Sequence, residues 1–109
     1  YAEERGVAMA MHFAGTPISF MANVHCAAAT QNFVALEHHS VDVEYWEDLV
    51  TGFDGPMIEK GFANVSEKPG LGVDLNEEVV KRHLDDDDDS YFRPTPEWNE
   101  IRSWDRLWS

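Results

Sequence analysis

Charge is missing from the first third of this chain: residues 6–36 contain no Asp, Glu, Lys or Arg. Cysteine is nearly missing, and a lone Cys26 excludes an internal disulfide. That composition fits a reducing compartment, so a cytoplasmic location is expected. The N-terminus, Tyr-Ala-Glu-Glu-Arg, lacks the basic-then-apolar pattern of a secretory signal. A long apolar run is missing as well. Spanning a bilayer takes about 20 predominantly apolar residues, and His12, Gly15-Thr16-Pro17, Ser19, Asn23 and His25 interrupt the uncharged stretch. No membrane partner is expected. Basic residues are scarce, 8 against 21 acidic ones for a net charge of −13, and nucleic-acid binding needs a basic face. Apart from Glu3 and Glu4, every acidic residue lies at or beyond Glu37. The charge pattern therefore separates a buried first part from a solvated second part.

Within the uncharged part, two strand-like runs each end on an ionisable side chain. Residues 6–11 are closed by His12, and residues 32–36 by Glu37. Between them Thr16 offers a hydroxyl N-cap and Pro17 a proline at the first helical position. Ile18, Met21, His25 and Ala29 recur at three- and four-residue spacing and predict one inward helix face. Strand, helix, strand is the unit of a parallel α/β sheet. In α/β barrels the catalytic groups sit at the carboxyl ends of such strands. A full barrel takes about 250 residues, whereas this chain has 109. Near-continuous apolar strands expect cover on both faces, and two parallel strands cannot cover each other. The expectation is a piece of a larger protein, near its C-terminal end.

Residues 1–5 look like the last turn of a helix stopped by Gly6. Asp42 is expected to cap a short helix carrying Tyr45, Trp46, Leu49 and Val50. Residues 56–58 and 61–65 are expected as short strands joined by a Glu59-Lys60 turn, and Pro69-Gly-Leu-Gly72 as a loop. Asn76 is expected to cap a helix with Glu77 and Glu78 in its first turn and Lys81, Arg82 and His83 in its last. Asp85 to Asp89 repel one another and predict a solvated linker; the ligand spacing and turn glycine of a calcium loop are missing. Beyond it Trp98, Trp104 and Trp108 crowd a tail expected to dock, because each buries a large apolar area.

His12-Phe-Ala-Gly-Thr-Pro17, the helix ending near Ala-Ala-Ala-Thr30, and Asn32-Phe-Val-Ala-Leu-Glu37 resemble the last two barrel strands of the enolase superfamily. The mandelate racemase/muconate lactonizing subgroup, and within it the galactonate- and gluconate-type sugar-acid dehydratases, is the nearest pattern. Gly61-Phe-Ala-Asn-Val65 and Pro69-Gly-Leu-Gly-Val-Asp74-Leu-Asn-Glu-Glu78 resemble the segment returning from the barrel to the capping domain. The fold implied is α/β: the C-terminal fragment of a (β/α)7β barrel, its last two strands, plus a return segment to an α+β capping domain. Residues 1–51 would be the last βαβ part, 52–84 the return segment, and 85–109 the acidic linker and tryptophan-rich tail.

The resemblance implies an Mg2+-dependent dehydratase that removes the proton next to a carboxylate and expels the 3-hydroxyl, leaving a 2-keto-3-deoxy acid. A racemase, epimerase or cycloisomerase is the alternative within the fold. His12 would be the seventh-strand general base, paired with an aspartate on the preceding strand. Glu37 would be the eighth-strand glutamate at the substrate carboxylate. The Mg2+ ligands, that aspartate and the general acid are expected upstream, so no metal ligand is assigned here and the segment alone is expected to be inactive. The partners implied are a sugar-acid substrate, the N-terminal part of the same protein, and further copies of it as a homo-oligomer. A rival of a different class is a small acidic interaction module that binds through its tail.

Each candidate has a plainer role beside it. His12 could instead be a structural histidine at a strand end, bonded to backbone. Glu37 could be a structural carboxylate, though a carboxylate ending an apolar strand is costly unless paired. Of His38 and His39, at most one can join Glu37, because adjacent side chains of an extended segment face opposite ways. Both are expected mainly in the loop. His25 is expected as a satisfied core histidine, Cys26 as inert packing, and Trp46 as packing. Trp98 is a pocket-lining candidate, with simple docking preferred.

Overall fold

The computed structural model describes residues 1–84, and the tail with Trp98, Trp104 and Trp108 lies outside them. A 3-10 turn at Glu3–Arg5 ends at Gly6, whose left-handed conformation (φ 66°) is the expected stop. Strand β1, Met9–Met11, leads through a short loop into helix α1, Pro17–Ala28, and the chain returns as β2, Phe33–Leu36. β1 and β2 pair in parallel, with Met9 opposite Phe33, Ala10 opposite Ala35 and Met11 opposite Leu36. A parallel pair requires such a crossover. The helix begins where sequence placed it: Thr16 is the N-cap and Pro17 the first helical residue.

The buried face of α1 differs from the expected one. Pro17, Phe20, Met21, Val24 and Ala27 are buried, while Ile18 and His25 are half-buried and Ala29 is exposed. The face turns toward an aromatic group that helical spacing alone does not reveal. Phe13 meets Phe20 edge-on, and both meet the indole of Trp46 in the same way. Met21, Val24, Val50 and Met57 complete this core. Cys26 is exposed on the outward side of α1, so its expected packing role is incorrect. His25 is half-buried, with a ring nitrogen 3.4 Å from the Leu71 carbonyl.

The expected helix after Asp42 is replaced by turns and a 3-10 segment, Glu47–Leu49. Trp46 and Val50 are both buried, as a helical stripe would have it. However, Val50 belongs to β3, Val50–Thr51, which pairs antiparallel with β6, Asp74–Leu75. β4, Ile58–Glu59, and β5, Phe62–Ala63, form the expected hairpin. Its two turn residues are Lys60 and Gly61 rather than Glu59 and Lys60, and both have positive φ, as tight hairpin turns require. Helix α2, Glu77–Arg82, starts after Asn76, whose backbone carbonyl accepts from Val79 and Val80; its side chain makes no capping bond.

β2 remains exposed at Phe33, Val34 and Ala35. An apolar groove of about 480 Å3 runs between this strand, α1 and the β4–β5 hairpin. Strands of a parallel sheet are ordinarily covered on both faces. Among the described residues, that cover is missing from β2. No described helix is long and apolar enough to cross a membrane.

Candidate active site

His12 follows β1 directly and Glu37 follows β2 directly. The parallel register that sets Met11 against Leu36 therefore sets these two residues beside each other. The ladder continues by one bond past the strands, since the Glu37 amide donates to the Met11 carbonyl at 2.9 Å. Across it, His12 Nδ1 is hydrogen-bonded to Glu37 Oε2. A carboxylate only accepts, so Nδ1 carries the proton, and in the neutral ring Nε2 is left as a bare acceptor. The side chain of His12 is 77% exposed, which leaves that nitrogen open to a reactant.

The second carboxylate oxygen is occupied too: His39 Nε2 donates to Glu37 Oε1 at 2.6 Å. The hydrogen bond from His39 and then that from His12 hold the Glu37 carboxyl below its ordinary value of 4.5. Glu37 is thus an ionised carboxylate between two imidazoles. His39 is the one that joins Glu37, as alternation two residues along an extended segment allows. His38 turns the other way, half-buried against Phe13 (6.1 Å, stacked), Phe20 and Trp46 (4.8 Å, edge-on). Its Nδ1 has no hydrogen-bond partner among the described residues.

The loop carrying His12 is tied down from the same core. Phe13, the next residue, is buried, and the Gly15 carbonyl accepts from Trp46 Nε1 at 2.8 Å and Ser40 Oγ at 3.4 Å. Trp46 is therefore packing, as expected, and also an anchor of the loop beneath the site. Sequence reasoning missed that second role because the partner is a backbone carbonyl 31 residues away.

One cluster of potential metal ligands occurs among the described residues: His12, Glu37 and His39, with ligand atoms within 4.8 Å of one another. Magnesium prefers near-octahedral oxygen ligands, mostly carboxylates and water. Two imidazoles and one carboxylate, already hydrogen-bonded together, do not fit Mg2+; such a donor set suits zinc-like ions better.

The enolase C-terminal domain-like family model matches residues 1–79. The chain belongs to that family. Over 78 residues it is 42% identical to the D-xylonate dehydratase of Haloferax volcanii, covering 72% of this chain and 18% of that protein. It is 35% identical over 86 residues to a D-galactonate dehydratase family member from Musicola paradisiaca, covering 76% and 20%. Among solved structures, a mandelate racemase/muconate lactonizing enzyme-like protein from Rubrobacter xylanophilus matches with a TM-score of 0.72 and 39% identity. That match covers 75% of this chain and 21% of the other. The chain thus spans about a fifth of the length of the relatives it matches. Its mixed helix and strand content and its parallel βαβ unit agree with the α/β class of an enolase C-terminal domain.

Proposed function

We propose that this segment supplies the base-bearing edge of an acid-sugar dehydratase, completed by barrel strands outside the described residues. The observation that carries the reading is the His12–Glu37 pair at adjacent parallel strand ends, with Nδ1 engaged and Nε2 open. Enolase-superfamily sites use a Lys or His base against the carbon next to a carboxylate. Here His12 Nε2 takes the α-proton, and the C–H electron pair moves into an enediolate. That pair then forms the C2–C3 double bond as the 3-hydroxyl departs, protonated, as water. The resulting enol becomes the 2-keto-3-deoxy acid. The proton on the leaving hydroxyl comes from a general acid elsewhere in the barrel.

The aspartate that the resemblance places on the preceding strand is the partner that would hold His12 in the productive tautomer. In this segment Glu37 accepts from Nδ1, and as the eighth-strand carboxylate it would stand at the substrate carboxylate and offset the positive charge the ring gains. Its exposed neighbourhood leaves the other walls of the pocket to the rest of the barrel, since an enediolate is stabilised in a site that excludes water. The Mg2+ that the family resemblance implies finds no fitting ligand set in these residues, and no step here depends on it. The substrate class rests on the relatives, which are named for xylonate and galactonate. A racemase or cycloisomerase shares the proton removal and is the alternative. One relative at 37% identity over 70 residues is an o-succinylbenzoate synthase from Bacillus subtilis.

The test is to offer the full-length protein D-xylonate, D-galactonate and D-gluconate with Mg2+ in deuterated water, following 2-keto acid formation. Dehydration of at least one is expected. Exchange or inversion at C2 without a keto product would favour the alternative. Neither on any acid sugar would overturn the dehydratase reading.

A further inference from the structure

Each strand of an α/β barrel is ordinarily followed by a helix of the outer ring. β2 is followed instead by turns, the 3-10 segment Glu47–Leu49 and β3. The apolar groove of about 480 Å3 lies on the side of β2 where α1 packs, since Phe20 and Val24 of α1 line it together with Leu36 and His38. Its remaining wall is formed by the β4–β5 hairpin and the residues just beyond it. Three apolar side chains in these walls are open to solvent: Val34 at 65%, Phe62 at 78% and Val65 at 47%. The groove is thus bounded by one helix and one hairpin, with its centre uncovered among the described residues.

Residues 95–108 carry a helix pattern of their own. Thr95-Pro96 repeats the Thr16-Pro17 start of α1, and Trp98, Ile101, Trp104 and Trp108 recur at three- and four-residue spacing. An aromatic side chain of this kind buries roughly 150–250 Å2, so such a face needs cover. The chain also leads toward the groove. The ring of His83 stacks on Tyr45 with centroids 3.6 Å apart. The next residue, Trp46, meets Phe20 at 5.5 Å and His38 at 4.8 Å, and both of these stand in the groove wall. Residues 85–94 then separate Leu84 from Thr95, and extended they span about 33 Å. We propose that residues 95–108 dock as a helix in this groove of their own chain, with the tryptophan face against Val34, Phe62 and Val65. The tail thereby supplies the outer cover of the strand that ends on Glu37.

The experiment is urea denaturation of the full-length protein carrying Val34→Lys, Trp104→Ala or both, with 19F NMR of the 5-fluorotryptophan-labelled protein alongside. Val34→Lys sets a charge in the groove wall. Phe62→Lys does the same from the hairpin and serves as a second variant. Each single substitution is expected to lower the denaturation midpoint by about 0.3 M urea or more. The double variant should fall no further than the lower of the two singles, because substitutions at residues in contact do not add. Val34→Lys and Phe62→Lys should also shift the Trp104 fluorine resonance, which Trp104→Ala identifies by removing it. Additive midpoint shifts, or a Trp104 resonance unmoved by either lysine, would overturn the proposal. A coupling lost on dilution of the protein would overturn it too, since the groove would then hold the tail of a second copy.

Discussion

Trp46→Phe isolates the anchor beneath the site. Trp46 is 5% exposed, and its indole N–H donates to the Gly15 carbonyl at 2.8 Å. Phenylalanine keeps an aromatic ring against Phe13, Phe20 and His38 but has no donor. A net hydrogen bond contributes about 1 kcal/mol. The smaller ring also leaves a void of roughly 40 Å3, which at about 24 cal/mol per Å3 adds ~1 kcal/mol. The remaining partner of the carbonyl, Ser40 Oγ, is 3.4 Å away and cannot replace a 2.8 Å bond. The expected loss is therefore about 2 kcal/mol, read by urea denaturation followed in the far ultraviolet. Ser40→Ala, removing only the long contact, should cost less than about 0.5 kcal/mol. A Trp46→Phe cost as small as that of Ser40→Ala would show that the Gly15 bond does not anchor the loop.

Two further outcomes follow from the same region. A Cβ added at Gly15 would stand 2.6 Å from Ser19 Oγ and 3.3 Å from the Phe13 ring, so Gly15→Ala should destabilise by about 1–3 kcal/mol. Adding Ser19→Ala should recover part of that loss in the same denaturation assay, and no recovery would place the strain elsewhere. Glu37, whose folded carboxyl is held below 4.5 by His39 and His12, should titrate below that value by carbon NMR, and His39→Ala should move it back up. Because the folded pKa is the lower one, the stabilisation is complete above the unfolded value and fades as pH falls through the folded one. A Glu37 midpoint unchanged by His39→Ala would contradict the paired geometry.

The βαβ unit was legible because its signals are local. Thr16-Pro17 marks the helix start, Gly6 the preceding stop, and two apolar runs end on His12 and Glu37. The parallel register then brings those two ends together without further information. What failed depended on distant partners. Trp46 and Val50 mimic a helical stripe, yet the partner of Val50 is Leu75, which no local spacing reveals. The face of α1 is turned by Phe13 and Trp46, which lie outside the helix, and Cys26 ends up outward as a result. In the hairpin the pair Lys60-Gly61 takes the turn because glycine accepts positive φ at little cost, a local signal shifted by one position. At the site, alternation allowed one of His38 and His39 to reach Glu37. The aromatic wedge on His38 decides which, and it is assembled only in three dimensions.

The central claim is that His12 removes the α-proton. The most direct measurement is the exchange of that proton with solvent deuterium, by proton NMR of the acid sugar incubated with the full-length protein and its His12→Asn variant. The wild type is predicted to exchange or eliminate the α-proton. The variant, which keeps a donor toward Glu37 but has no basic ring nitrogen, is predicted to do neither while remaining folded. Undiminished loss of the α-proton in His12→Asn would contradict the account.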